Sequence, residues 1–332
     1  MTKTSKIKDI SDLIQGRIRN KTITIPKGKY RVKETIVVSR NGKLIIEPGT
    51  KLLFANNTGI IVHKGILIAE GTKEEKITFK PAKGEEWQNI TFVDSKSDEN
   101  RLEYCIIKGG NGINPFNRYI SHQLAEQSKY KEWDWIENYI IGGGIAIINS
   151  SPTIKHCKIK DSTNCLISGG GIYCFNSSSI IDKCTIENCA GLSGSGIYCA
   201  WHSSVTIKNC KIMNNTSDYG TITSADSITT IENCDIGKSA KGNCNIYSKE
   251  NSTLIIKNSN ITSAESHAIW NHYPESKIIV ENCNFTSHKP SSTISMQKGG
   301  SLKIKNSNIN GKKITSKNDI NIYDGNPEII IE

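Results

Sequence analysis

The chain has 332 residues, enough for one long domain or two ordinary ones, and only 36% of them are hydrophobic. The formal charge is +10, yet just six of the 42 basic residues are Arg and none lies beyond Arg118. Lysine is a hydrated point charge without arginine's planar fork, so the excess reads as a solvated coat that attracts acidic polymers at long range, not as a nucleic-acid site.

The opening MTKTSKIKDISDL lacks the apolar stretch of a signal peptide. That points to the cytoplasm, or to a secreted protein stripped of its leader. No run of about 18 apolar residues exists, so no membrane-crossing helix is expected. Residues 6–19 place Ile7, Ile10, Leu13, Ile14 and Ile18 on one helical face. The expectation there is an amphipathic helix capping the N-terminal end of a stack.

Short β-type runs follow: KLIIEPGT (43–50), ILIAEGT (66–72), KITFKPA (76–82), NITFVDS (89–95) and LEYCIIKGG (102–110). Cys105 to Cys157 spans 52 residues, about two repeats, but only one repeat's worth of strands resumes at Gly142. Residues 111–140 are therefore expected to be an insertion lying over the early coils; a second coil with degenerate strands is the alternative. The segment holds Arg118, Trp133 and Trp135, and long loops of this kind in compact repeats are usually functional or disordered.

Beyond it one phrase recurs: PTIKHCKI (152–159), SIIDKCTI (179–186), VTIKNCKI (205–212), TTIENCDI (229–236), LIIKNSNI (254–261), IIVENCNF (278–285) and LKIKNSNI (302–309). Its central Cys or Ser advances by 27, 26, 24, 25, 24 and 24 residues. Each copy is preceded by a second run with period-2 alternation, such as GIYCFNS (171–177) and GIYCAWHS (196–203). A single coil of this size cannot bury its apolar face, but stacked coils can, each strand pairing in parallel with its copy about 4.8 Å away. Parallel crossovers are overwhelmingly right-handed. The prediction is one all-β domain over 1–332, a right-handed parallel β-helix with coils of about 22–27 residues. Inward Ile columns, an internal Cys/Ser column and an Asn ladder at a bend (Asn209, Asn233, Asn258, Asn282, Asn306) belong to that prediction. The eleven Cys show no C-x-x-C or zinc-finger spacing and read as buried free thiols.

The runs TITIPKGKYRV, IIEPGTKLLF, GILIAEGTKEEKITF and EWQNITF resemble the opening of right-handed parallel β-helix proteins of the pectate-lyase-like superfamily. The resemblance implies the fold over nearly the whole chain from about residue 22. It does not select an activity, because this fold carries lyases, hydrolases, epimerases and binders.

Taking the first Ile of each upstream strand as inward, the outward column reads Ala146, Tyr173, Tyr198, Thr223, Tyr247, Trp270 and Ser295. The column two residues on contains Phe175, Lys249 and His272, with Asp226 and Glu250 just beyond and His202 on the adjoining turn. An aromatic stripe with polar neighbours suits a sugar chain. Tyr173, Phe175, Tyr198, Tyr247 and Trp270, together with Trp133, Trp135 and Arg118 of the insertion, are therefore candidate substrate-binding residues for an extended, acidic or neutral glycan.

Two alternatives stand beside this reading. One is a carbohydrate-active enzyme (lyase, hydrolase or epimerase) on the same face. Asp226 and Glu250 on adjacent coils are then the best carboxylate pair, and Lys249, His272 and His202 are candidate proton-transfer groups. The family's motifs are incomplete, however. Residues 270–272, WNH, lack the acid of the pectate-lyase W-I-D-H, and the polygalacturonase Asp-Asp, His-Gly and Arg-x-Lys and the alginate-epimerase Asp-Pro-His are absent. The other alternative is a protein-interaction scaffold, with oligomer contacts through the apolar face or the C-terminal edge. No cofactor is implied. Calcium, which the resemblance allows, finds no outward acidic cluster, and His202, His267 and His272 have no chelate spacing, so no metal ligand is assigned. The expected partner is a polysaccharide or other extended polymer, not nucleic acid or a membrane.

Overall fold

A computed structural model describes residues 7–112, 142–237, 244–263, 267–288, 293–322 and 325–332. Within them three long sheets of 13, 12 and 12 strands run side by side, and the chain visits them in rotation through about eleven turns. The first begins at Lys8–Asp9, the second at Ile18–Arg19 and the third at Thr22–Ile25. Neighbouring rungs pair in parallel, apart from an antiparallel hairpin joining Asn308–Ile309 to Lys312–Lys313 at the end of the first sheet.

The recurring phrase is one corner of the coil. In VTIKNCKI, the strand Ser204–Lys208 of the third sheet ends and Asn209 takes a left-handed φ of 55°. Cys210 turns inward, and Lys211–Met213 starts the first sheet. Asn is the non-Gly residue that best tolerates this conformation, and Asn233, Asn258, Asn282 and Asn306 repeat it at φ 53°, 49°, 54° and 47°. The backbone N–H of Asn209 donates across the rung to Glu232 O at 2.9 Å. Between side chains, Asn282 Nδ2 donates to Asn258 Oδ1 at 3.2 Å, and Asn209 Nδ2 to Asp182 Oδ1 at 2.8 Å.

The Cys/Ser positions stack rung on rung. Cys184 N–H donates to Cys210 Sγ at 3.4 Å and Cys210 N–H to Cys234 Sγ at 3.4 Å. Cys234 N–H donates to Ser259 Oγ at 3.1 Å, and Cys283 N–H to Ser307 Oγ at 3.1 Å. A small side chain with an acceptor atom is what this column requires, and both residue types supply it. Ten of the eleven cysteines, from Cys105 to Cys283, are free and buried. In the second sheet Ile145, Ile172, Ile197, Ile222, Ile246, Ile269 and Ile294 register on one another and are fully buried. This fixes which residues of the alternation face outward.

Two expectations meet the structure here. The helix over 6–19 does not form in the described residues from Ile7 onward. Lys8–Asp9 pairs with the strand Lys29–Val32, Ile10–Asp12 makes a single 3₁₀ turn capped by Asp9, and Ile18–Arg19 pairs with Ile36–Ser39. The helical periodicity still buries Ile10, Ile14 and Ile18. Gly16, at φ 66°, breaks the segment, and strand pairing satisfies the edge of the first coil as a helix would not. On the insertion, Ile90–Val93 registers directly on Ile145–Ile148, and Arg101–Glu103 on Thr153–Lys155, so these rungs are neighbours. Residues 113–141, with Arg118, Trp133 and Trp135, lie outside the described residues.

Candidate functional site

The outer face of the second sheet carries the aromatic stripe. Tyr173 registers on Tyr198, Tyr198 on Thr223, Thr223 on Tyr247 and Tyr247 on Trp270. The rings pack against one another in two runs. Tyr173 and Tyr198 lie 5.5 Å apart and 7° from parallel; Tyr219 and Tyr247 are 5.9 Å apart, and Tyr247 and Trp270 5.2 Å.

Facing outward is not the same as being accessible. Tyr173, Phe175 and Tyr247 expose only 6%, 2% and 7% of their surface. Tyr173 and Phe175 form a closed cluster with Val93, Ile148 and Ala200, against which Tyr198 packs. Burial lifts the Tyr173 hydroxyl well above the ordinary phenol range and raises Tyr198 and Tyr247 as well. Tyr173, Phe175 and Tyr247 therefore offer little surface for contact and act as a support, while Tyr198 is half-buried.

The accessible rings sit beside them, on the turns. Trp201 is 42% exposed and lies 6.0 Å from Phe175, nearly parallel to it. Tyr219 is 40% exposed on the opposite border of the sheet. Trp270, His272 and Tyr273 are half-buried. Alternation along strands does not reveal Trp201 or Tyr219, because both fall where the chain turns. A sequence signal for Trp201 does exist: GIYCAWHS has one residue more than GIYCFNS. That extra residue produces two successive left-handed positions, Trp201 at φ 52° and His202 at φ 55°. Neither is Gly or Asn, so the turn holds them at a conformational cost.

The polar candidates lie at the same end of the strands. Asp226 and Glu250 occupy equivalent left-handed turn positions on adjacent rungs, at φ 46° and 57°. They do not face each other as a free pair: His202 Nδ1 is 3.3 Å from Asp226 Oδ2, and Lys249 Nζ is 2.9 Å from Glu250 Oε1. For Lys249, burial opposes the charge, but the hydrogen bond to Glu250 and the surrounding groups outweigh it and raise the amine above its ordinary value. Trp270 stands edge-on to His272, 5.6 Å away. Trp270 Nε1 and His272 Nδ1 are buried without a hydrogen-bond partner among the described residues, and a ligand hydroxyl or an ordered water would complete both. His267 Nδ1 is 2.8 Å from the buried Ser295 Oγ. No group of three or more metal-ligating side chains converges among the described residues, and none of their helices is long and apolar enough to cross a membrane.

Residues 92–236 match the family described as right handed beta helix region. The chain is a right-handed parallel β-helix. The β-helix also matches the crystal structure of the periplasmic alginate epimerase AlgG, over 94% of this chain and 78% of that one, at 8% identity and a TM-score of 0.29. So loose a superposition carries nothing about activity. No curated protein matches the sequence.

Proposed function

We propose that the outer face of the second sheet of this β-helix binds an extended glycan. The observation that carries the reading is the exposure of Trp201 and Tyr219 at its borders, each backed by a buried ring, Phe175 and Tyr247. A solvent-exposed aromatic held rigid by a second ring binds a flat apolar ligand face at little entropic cost. Repeated rungs about 4.8 Å apart suit a polymer of repeated sugar rings. The His202–Asp226 contact and the Lys249–Glu250 ion pair present donors and acceptors to hydroxyls along the same edge. A hydrolase would need one of these carboxylates to act as an acid and the other as a base or nucleophile. Glu250 is instead held by the Lys249 ammonium and Asp226 is engaged by His202, so the two carboxylates are not left facing a scissile bond, which favours binding over catalysis.

The test is retention on a panel of soluble neutral and acidic polysaccharides in native gels. The unmodified chain is expected to be retarded by at least one of them. Trp201→Ala and Tyr219→Ala should each weaken that binding, and together abolish it, with unchanged circular dichroism. Undiminished retardation of the double variant would reduce the aromatics to structure. New reducing ends or ultraviolet-absorbing products would replace the binding assignment with an enzymatic one.

A further inference from the structure

We infer that the outer face of the third sheet, away from the glycan face, is an interface between two copies of this chain packed antiparallel. The observation behind it is a column of alternating charge. Asp182 registers on Lys208, Lys208 on Glu232, Glu232 on Lys257, Lys257 on Glu281 and Glu281 on Lys305. Lys155 and Glu103 continue the series at one end, Lys155 registering on Asp182 and Glu103 on Lys155. Glu332 continues it at the other, one residue past the Ile304–Ile331 pair.

Beside the charges the sheet turns β-branched residues outward. Thr206, Thr230, Ile255 and Ile279 form one column, with Ile228 and Thr253 in the next. Ile228 is 48% exposed, among the most exposed large apolar side chains described. A carpet of Ile and Thr edged by charges has the anatomy of an interface core and rim.

An alternating series meets its opposite signs when it is turned about a point midway between two rungs. Place a two-fold axis in the contact plane, parallel to the strands, between the Glu232 and Lys257 rungs. Glu232 then meets the second copy's Lys257, Lys208 its Glu281, and Asp182 its Lys305. The same operation sets Thr230 on Ile255 and Thr206 on Ile279. A slip of one rung brings like charges together, so the column selects against it. The contact is isologous and closes at two copies. Eight strands at about 4.8 Å spacing, each about 16 Å long, give roughly 1,100 Å² over both copies, at the low end for a specific association.

Within one chain the alternation also favours register, and Lys257 Nζ closes on Glu281 Oε2 at 3.1 Å. The experiment must therefore separate the two roles. Light scattering from micromolar to near-millimolar protein is expected to show the unmodified chain reaching twice the monomer mass. Ile228→Lys and, separately, Thr230→Lys should hold it at monomer mass with unaltered circular dichroism, since both side chains point outward. The fourfold inversion Lys208→Glu, Glu232→Lys, Lys257→Glu, Glu281→Lys should dimerise with itself and fail to pair with the unmodified chain in a labelled mixing assay. A monomer at every concentration, a dimer indifferent to both outward lysines, or free mixing of inverted and unmodified copies would each overturn the proposal.

Discussion

Replacing Cys210 tests the internal column with three graded substitutions. Its sulfur accepts the Cys184 N–H at 3.4 Å, and its own thiol lies 3.1 Å from Lys208 O. Cys210→Ser keeps a small side chain with an acceptor and donor, as Ser259 and Ser307 already do two and four rungs later. It should change stability little. Cys210→Val adds one methyl-sized atom and removes the acceptor, leaving a buried amide unsatisfied at about 1–3 kcal/mol. Cys210→Leu adds volume between rungs about 4.8 Å apart and should cost about 1–3 kcal/mol more in forced repacking. The expected order of melting temperature is therefore Ser near the unmodified chain, Val a few degrees lower and Leu lowest, by scanning calorimetry at fixed rate. A Val variant as stable as the Ser variant would refute the claim that the column is held by hydrogen bonds to its side chains.

Raising the pH should destabilise the fold. Burial pushes the Cys189 thiol from its ordinary 9.0 to about 12, and contact with Cys184 together with burial does the same for Cys210. The folded state thus keeps protons that the unfolded chain releases, so the stability is fully present below pH 9 and falls as pH rises toward 12. Melting temperatures between pH 7 and pH 10.5 should decline past about 9, less steeply for Cys189→Ser/Cys210→Ser; a flat profile would contradict the burial. Gly170→Ala should be strongly destabilising, because a Cβ there would lie 2.3 Å from Ala190 O and 2.6 Å from Ser195 O. A normal melting curve for that variant would show that the rungs are looser than described. Asn258→Val should lose about 1–2 kcal/mol relative to Asn258→Gly, since both forfeit the Asn282 hydrogen bond but only valine is strained at φ 49°. Equal stability of the two in urea titrations would argue against a left-handed corner.

The coil was legible because two signals agreed. The inward Ile of each second-sheet strand was identifiable from alternation, and a spacing near 24 residues assigned each its neighbour; both registers hold from Ile145 to Ile294. Facing direction therefore carried over to the site: Tyr173, Tyr198, Tyr247 and Trp270 share one outer column. Exposure did not carry over. Alternation distinguishes inside from outside the coil, but not an outer residue that is open to water from one that is packed, and Tyr173 and Phe175 proved to be packed. The accessible rings were hidden for the complementary reason. Trp201 and Tyr219 stand in turns, where no periodicity marks direction and the backbone geometry alone decides it. At the N-terminus, the apolar spacing of Ile10, Ile14 and Ile18 served burial equally well as a strand-and-turn path, and pairing with the neighbouring rungs decided between them.

The glycan reading is tested most directly by titrating the chain with homologous oligosaccharides of increasing length, cut from whichever polysaccharide retards it, using calorimetry. The rungs from Ile197–Ala200 to His267–Asn271 are four in number and span about 14 Å. Affinity should climb as the chain lengthens to that span and then level off, and Trp201→Ala should flatten the climb. Equal binding of a single sugar and the longest oligomer, or none by either, would contradict a polymer lying along the face.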